Sequence, residues 1–355
     1  MKANLTKTSF KSTIGRARQL LSSAACLGAV ILVCSTASAQ NLFVSGTDDR
    51  GGEIFKFTWD GRESIFASGL YRPWDLAFDN AGNLFFVDYE ILQDGGGGLP
   101  GNAAIYNVAI YKITPNGTLT IFASRLSYPS YLATDRAGNV FAADYNQGVI
   151  YQYKPTGSRA TFATGLHHPV GLAFNSLGNL FVVDNSAGMY QGHIYEYKPN
   201  GSRATFAVLD PSDRPADLAF DNMGNLFMAD LGGNIYRYDP PGVLRRHPRT
   251  TFGSVPNSAQ SLACDSAGNL LVVGVGDANS GGVAPNAVYK FTQQGVRSTF
   301  ALAQNIDETF ACLAFQPMSP VCCEAMTPSV EHDIKAAAHA IPSTDVIRSR
   351  SGNGD

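Results

Sequence analysis

The chain has 355 residues, 45% of them hydrophobic and 15% charged, with a formal net charge of −3. That is ample apolar material for the core of one sizeable domain. The mildly acidic balance excludes a surface built for nucleic acid or for anionic membrane.

In chain order, residues 1–39 read first, as a secretory signal peptide. Lys2, Lys7, Lys11, Arg16 and Arg18 form a basic start, Leu20 to Val33 is largely apolar, and Ala37-Ser38-Ala39 is a small-residue cleavage site before Gln40. The apolar run is too short for a convincing membrane span. Cleavage after Ala39 leaves 21 basic against 29 acidic residues, a net charge of −8. The expected product is a secreted or periplasmic protein, with no membrane association and no nucleic-acid partner.

A motif then recurs six times, at a spacing of about forty residues. Its clearest copy runs from Gly171 to Ala207: Gly-Leu-Ala-Phe, a turn, Gly-Asn-Leu-Phe-Val-Val-Asp, a loop, Ile-Tyr-Glu-Tyr, Pro-Asn-Gly and Thr-Phe-Ala. Such words predict an all-β, six-bladed β-propeller over residues 40–316, with four antiparallel strands per blade. Leu84 to Val87 and Leu180 to Val183 are apolar on consecutive residues, as expected of strands buried on both faces. Asp79 to Asn83 and Asp221 to Asn225 read as tight hairpins with Gly at positive φ. The chain enters on a second strand, Leu42 to Ser45, and leaves on a first strand, Leu313 to Phe315. Pairing of these N-terminal and C-terminal strands in one blade would close the ring and remove an open sheet edge.

One face should carry short, uniform turns. The other carries variable connections, among them Tyr89 to Val108 with Gly95 to Gly98 inside, Asn185 to His193 and Gly274 to Asn286. A site is expected on that second face, at the mouth of the central channel. The acid closing each second strand (Asp88, Asp144, Asp184, Asp230) recurs in the repeat, which suggests a backbone-bonding role. The residue before each first-strand Leu varies instead: Asp75, Tyr131, Gly171, Asp217, Ser261, Cys312. So does the residue three positions earlier, in the order Arg72, Tyr128, His168, Arg214, Ser258 and Thr309. The expected ligand-binding set at the mouth is Arg72, Trp74, Asp75, Tyr128, Tyr131, His168, Arg214 and Asp217. The plain alternative is that Arg72 and Arg214 form rim ion pairs with Asp75 and Asp217 and keep them ionised. His167, His168 and His193 are considered as transition-metal ligands, although no carboxylate–histidine spacing accompanies them.

Four cysteines lie beyond residue 39, and an even count in an oxidising compartment suggests disulfides, with the pairing of Cys264, Cys312, Cys322 and Cys323 left open. Residues 317–355 lose the repeat and read as a poorly ordered tail.

Val170-Gly171-Leu172-Ala173-Phe174 and Asn179-Leu180-Phe181-Val182-Val183-Asp184 resemble the blade motifs of NHL-repeat propellers and of the SMP-30/gluconolactonase/LRE-like superfamily. The resemblance spans Asn41 to about Gln316. It implies the propeller fold and, for the lactonases, a divalent Ca²⁺ or Zn²⁺ in the channel held by Glu, Asn and Asp. At the matching positions this chain has Trp74, Ser130, Val170, Ala216, Gln260 and Ala311, so no metal ligand carries over. The expectation is therefore a monomeric binding module for a small ligand, glycan or protein, with no catalytic residue assigned. The alternatives are a metal-dependent lactone or ester hydrolase and a metal-independent lyase or synthase.

Overall fold

The computed structural model describes residues 40–48, 51–93, 105–124, 126–185, 191–240, 249–256, 258–275, 286–302 and 309–317. The signal-peptide segment, the tail beyond Pro317, Cys322, Cys323 and the Gly95 to Gly98 run lie outside the described residues.

Twenty-four strands form six four-stranded antiparallel sheets, and no helix occurs among the described residues. The first sheet contains β1 (Leu42–Asp48), β2 (Gly51–Phe57) and β3 (Glu63–Leu70). Next come β4 (Pro73–Phe78), β5 (Leu84–Gln93), β6 (Ile105–Ile113) and β7 (Leu119–Ala123), then β8 (Pro129–Thr134), β9 (Val140–Asp144), β10 (Val149–Tyr153) and β11 (Arg159–Ala163). The fourth sheet holds β12 (Pro169–Phe174), β13 (Leu180–Asp184), β14 (His193–Tyr197) and β15 (Arg203–Val208). The fifth holds β16 (Pro215–Phe220), β17 (Leu226–Asp230), β18 (Asn234–Tyr238) and β19 (Arg249–Ser254). The sixth holds β20 (Ser258–Cys264), β21 (Leu270–Val275), β22 (Ala287–Phe291) and β23 (Arg297–Leu302). The last strand, β24 (Thr309–Phe315), returns to the first sheet, where it pairs with β1 in the register Leu42↔Phe315 and Val44↔Leu313.

The stretch from Tyr89 to Val108 is not a loop along its whole length. β5 and β6 continue their ladder past the ends of the other blades, with Tyr89↔Val108, Glu90↔Asn107, Ile91↔Tyr106 and Gln93↔Ile105. The strand-like residues on each side of the Gly-rich segment let the pairing extend this far.

The core lies between the sheets. Second strands such as β9, β13 and β17 are buried at every residue, because each is central in its sheet and covered on both faces by neighbouring blades. The repeat places a Phe where it pins two blades. Phe141 of β9 meets Phe162 of its own blade edge-on at 5.0 Å and Phe174 of the next blade at 5.0 Å. Phe43 does the same with Phe66 and Phe78, and Phe181 with Phe206 and Phe220. Each edge-to-face pair adds about 0.5–1.5 kcal/mol beyond the area it buries. The short turns are set by the Asp-x-x-Gly-Asn word: Asp79 Oδ1 accepts from the amides of Ala81 and Asn83, while Gly82 takes φ +80°. This rigid ring fixes the six innermost strands around one channel.

Candidate functional site

The innermost strands β4, β8, β12, β16, β20 and β24 each touch the next and so form a closed circle. Each circle member carries a bulge just before its Leu. In β8 the pairing runs Pro129↔Asp144 and then Tyr131↔Ala143, leaving Ser130 extra. In β16 it steps from Pro215 to Asp217, in β20 from Ala259 to Ser261, and in β12 from Val170 to Leu172. A bulge adds one residue and re-aims the side chains beyond it. Strict alternation of neighbours on the strand would turn Asp75 and Asp217 away from the circle; the bulges instead turn both towards the adjoining inner strands, where their bonds are made.

Asp75 and Asp217 are therefore not rim residues, a correction to the expectation of exposed Arg–Asp pairs. They are 5% and 8% exposed. Among the described residues no ion pair joins Arg72 to Asp75 or Arg214 to Asp217. Asp75 Oδ2 accepts from the Leu132 amide of the next blade, and its Oδ1 accepts from the Cys312 thiol. Asp217 Oδ2 accepts from the Leu262 amide at 2.9 Å, and its Oδ1 accepts from the Leu218 amide at 2.7 Å. Each carboxyl thus satisfies a backbone donor on the free edge of the neighbouring inner strand. Ser261 Oγ lies 3.0 Å from Asp217 Oδ2 and 3.2 Å from Cys312 Sγ. Ser45 Oγ accepts from the Cys312 amide at 3.1 Å and donates to the Trp74 carbonyl at 3.3 Å.

Burial dominates the electrostatics. It pushes the Asp75 carboxyl up to about 6 against the hydrogen bonds from Cys312 and Leu132. It pushes Asp217 up to about 8, with the like charge of Asp75 adding to the rise. The half-buried Tyr131 phenol, close to both acids, is raised for the same reasons, burial first, as is the Cys312 thiol. Arginine holds neither acid ionised.

The outer ring of the mouth has a different character. Trp74 and Tyr128 are 38% and 42% exposed, and Arg72 and Arg214 are exposed. An aromatic arc runs from Tyr89 to Tyr128 (5.4 Å between ring centres), on to Tyr145 (6.2 Å) and to His168 (4.5 Å). The backbones under this ring are clipped by the repeated acids. Asp88 accepts from the Tyr71 and Arg72 amides, Asp184 from those of His167 and His168, and Asp230 from that of Arg214. That is the backbone role their repetition suggests. The structure thus divides the eight expected residues in two. Arg72, Trp74, Tyr128, His168 and Arg214 ring the mouth; Asp75, Tyr131 and Asp217 belong to the buried circle. Ser261, Cys312 and Ser45 complete that circle, and none was in the expected set. For Ser261 and Cys312 the signal was available, because the position before the first-strand Leu never holds an aliphatic residue; Ser45, on β1, lies outside that position.

A divalent metal does not fit these side chains. Both oxygens of Asp75 and of Asp217 face amide, hydroxyl or thiol donors, and the lactonase ligand positions carry Trp74, Ser130, Val170, Ala216, Gln260 and Ala311. No set of three His, Cys, Asp or Glu side chains converges among the described residues. The three histidines make separate contacts: His167 with Asp184, His168 with Tyr145 and the Asn185 carbonyl, and His193 stacked on Tyr195. Among the described residues Cys264 and Cys312 form no disulfide with each other.

A family model described as strictosidine synthase-like, N-terminal, matches residues 202–238, about one blade. No curated protein matches the sequence significantly. Solved structures do match in fold. A gluconolactonase from Xanthomonas campestris superposes with a TM-score of 0.51 at 16% identity, covering 66% of this chain and 77% of that one. What the chain shares with it is the six-bladed β-propeller fold. The PQQ-bound aldose sugar dehydrogenase of Streptomyces coelicolor matches with a TM-score of 0.54 at 14% identity, covering 70% and 90%. A protein of unknown function from Bacteroides caccae gives 0.52 at 16%, covering 79% and 99%. At these identities the likeness concerns the fold and leaves the chemistry of the site open.

Proposed function

We propose that this chain is a secreted or periplasmic binding module that takes an acidic sugar or glycan end at the mouth of its channel. The observation that carries the reading is the division of the site. The buried acids are spent on holding blades together, while the exposed ring combines aromatic faces with two arginines. Trp74, Tyr128 and the Tyr145–His168 pair offer flat surfaces for sugar rings. Arg72 and Arg214, at equivalent positions of the sheets that begin with β4 and β16, offer planar donors suited to a carboxylate. The leader-like residues 1–39 support export.

The hydrolase alternative has the fold of the gluconolactonase in its favour and the donor set against it. Calorimetric titration with uronic-acid oligosaccharides and their neutral counterparts tests the proposal. Acidic oligomers should bind, Trp74→Ala should weaken them at least tenfold, and Arg72→Gln should lose the preference for acid over neutral. Turnover of a sugar lactone that depends on Ca²⁺ or Zn²⁺, without saccharide binding, would replace this reading by the hydrolase.

A further inference from the structure

The buried circle contains a run of four side chains from four inner strands: Asp75 on β4, Cys312 on β24, Ser261 on β20 and Asp217 on β16. With Asp217 neutral and Asp75 ionised, each link has one hydrogen. The Asp217 hydroxyl donates to Ser261, Ser261 donates to Cys312, and the Cys312 thiol donates to Asp75. If Asp217 loses its proton, Ser261 must donate to Asp217 instead. The Ser261–Cys312 link is then left with lone pairs on both sides, and two carboxylates face each other in a buried space.

That link matters because Cys312 sits on the closing strand. Through Cys312 the strand β24 is tied to β20 on one side and to β4 on the other, and its amide is held by Ser45 of β1. We propose that the Asp75–Cys312–Ser261–Asp217 run is a proton-dependent latch on the closing blade, completed by a single proton and released when that proton leaves. The other groups facing the run are the Tyr131 phenol of β8, the Tyr89 phenol of β5, bonded to the Pro129 carbonyl at 2.7 Å, and the Ser45 hydroxyl. Both phenols are raised by burial and Asp75 is ionised at lower pH, so Asp217 is the group of the run that changes charge near pH 8. Burial and the Asp75 charge push Asp217 up to about 8, and release is complete once it ionises there.

The test uses Cys312 as its own reporter in the full chain, with the other five cysteines replaced by serine. The rate of labelling by a disulfide reagent is divided by the rate for glutathione at each pH from 6 to 9.5, which removes the ordinary ionisation of a thiol. The quotient measures opening. It should rise by up to tenfold per pH unit below pH 8, as expected when opening releases one proton that the closed state holds tightly, and level off above pH 8, where Asp217 is already ionised in the closed state. In Asp217→Asn, which keeps a permanent donor at that position, it should stay flat. A flat quotient in the parent, or an equal rise in Asp217→Asn, overturns the latch. Asp75→Asn is measured in parallel. It removes the like charge opposing ionisation of Asp217, so the rise must level off at lower pH; an unmoved plateau refutes the proposal even if Asp217→Asn fails to fold.

Discussion

Gly171 is the one position of the inner circle without a side chain, and replacing it by alanine probes how closely two blades abut. Its φ is +64°, where a Cβ is disfavoured. A Cβ there would lie 2.9 Å from Asp217 Cα, 3.0 Å from the Leu218 nitrogen and 3.1 Å from the Asp217 carbonyl carbon. All three are backbone atoms of β16, so no side chain can rotate aside, and the inner strand itself must move. The conformational penalty is about 1 kcal/mol. Overpacking against a fixed backbone adds roughly 1–3 kcal/mol. Gly178 supplies the control: its φ is +81° and nothing lies within 4 Å of its added Cβ, so Gly178→Ala bears the first cost alone. Urea unfolding followed by tryptophan fluorescence should show Gly171→Ala destabilised by about 3 kcal/mol, equivalent to roughly 6–9 °C in Tm. Gly178→Ala should lose about 1 kcal/mol. The strand displacement should also disturb the Asp217–Leu262 bond and slow refolding of the ring as one unit. Equal losses in the two variants would refute the close approach of β12 and β16 on which the circle depends.

The remaining expectations concern protons, turns, metals and processing. Asp75 and Asp217 hold their protons more tightly in the folded chain than the ordinary carboxyl near 3.8, so the native state binds the extra protons and its stability falls as pH rises from about 4 through 8. Asp217 spans about four pH units at roughly 1.4 kcal/mol each, and the advantage of the parent over Asp217→Asn should shrink by several kcal/mol between pH 4 and 9 in paired melts. A constant difference would contradict the burial of Asp217. Asp184→Ala should lose about 2–3 kcal/mol, because the amides of His167 and His168 lose their acceptor, while the folded fraction binds ligand normally. Asp184→Asn should cost less, since one oxygen, Oδ1, accepts both amides. Added Ca²⁺ or Zn²⁺ and EDTA should leave the melting temperature unchanged; a metal-dependent rise would mean that the circle's donors reorganise around an ion. Intact mass of exported protein should correspond to a chain beginning at Gln40, and an uncleaved Met1 would contradict the signal peptide.

How much of this was legible beforehand follows from the kind of interaction involved. Blade words, turns and buried second strands are local patterns repeated six times, and a repeated local pattern averages out accidents of any one copy. The role of Asp88, Asp184 and Asp230 was legible for the same reason, since a residue required in every blade answers a need that every blade has. The sequence alone also marked the circle position, by its run of Asp, Tyr, Gly, Asp, Ser and Cys in place of aliphatic residues. The state of those residues was another matter. Whether Asp217 meets an arginine at the rim or an amide in the interior turns on one bulge residue, Ala216, which alternation along a strand does not foresee. Ser45, Ser261 and Cys312 are far apart in the chain and become one hydrogen-bonded run only when the closing strand docks between its neighbours. Burial, and with it the protonation of the two acids, belongs to the assembled ring: the low-dielectric surroundings that raise these carboxyls come from strands of other blades and exist in no single repeat.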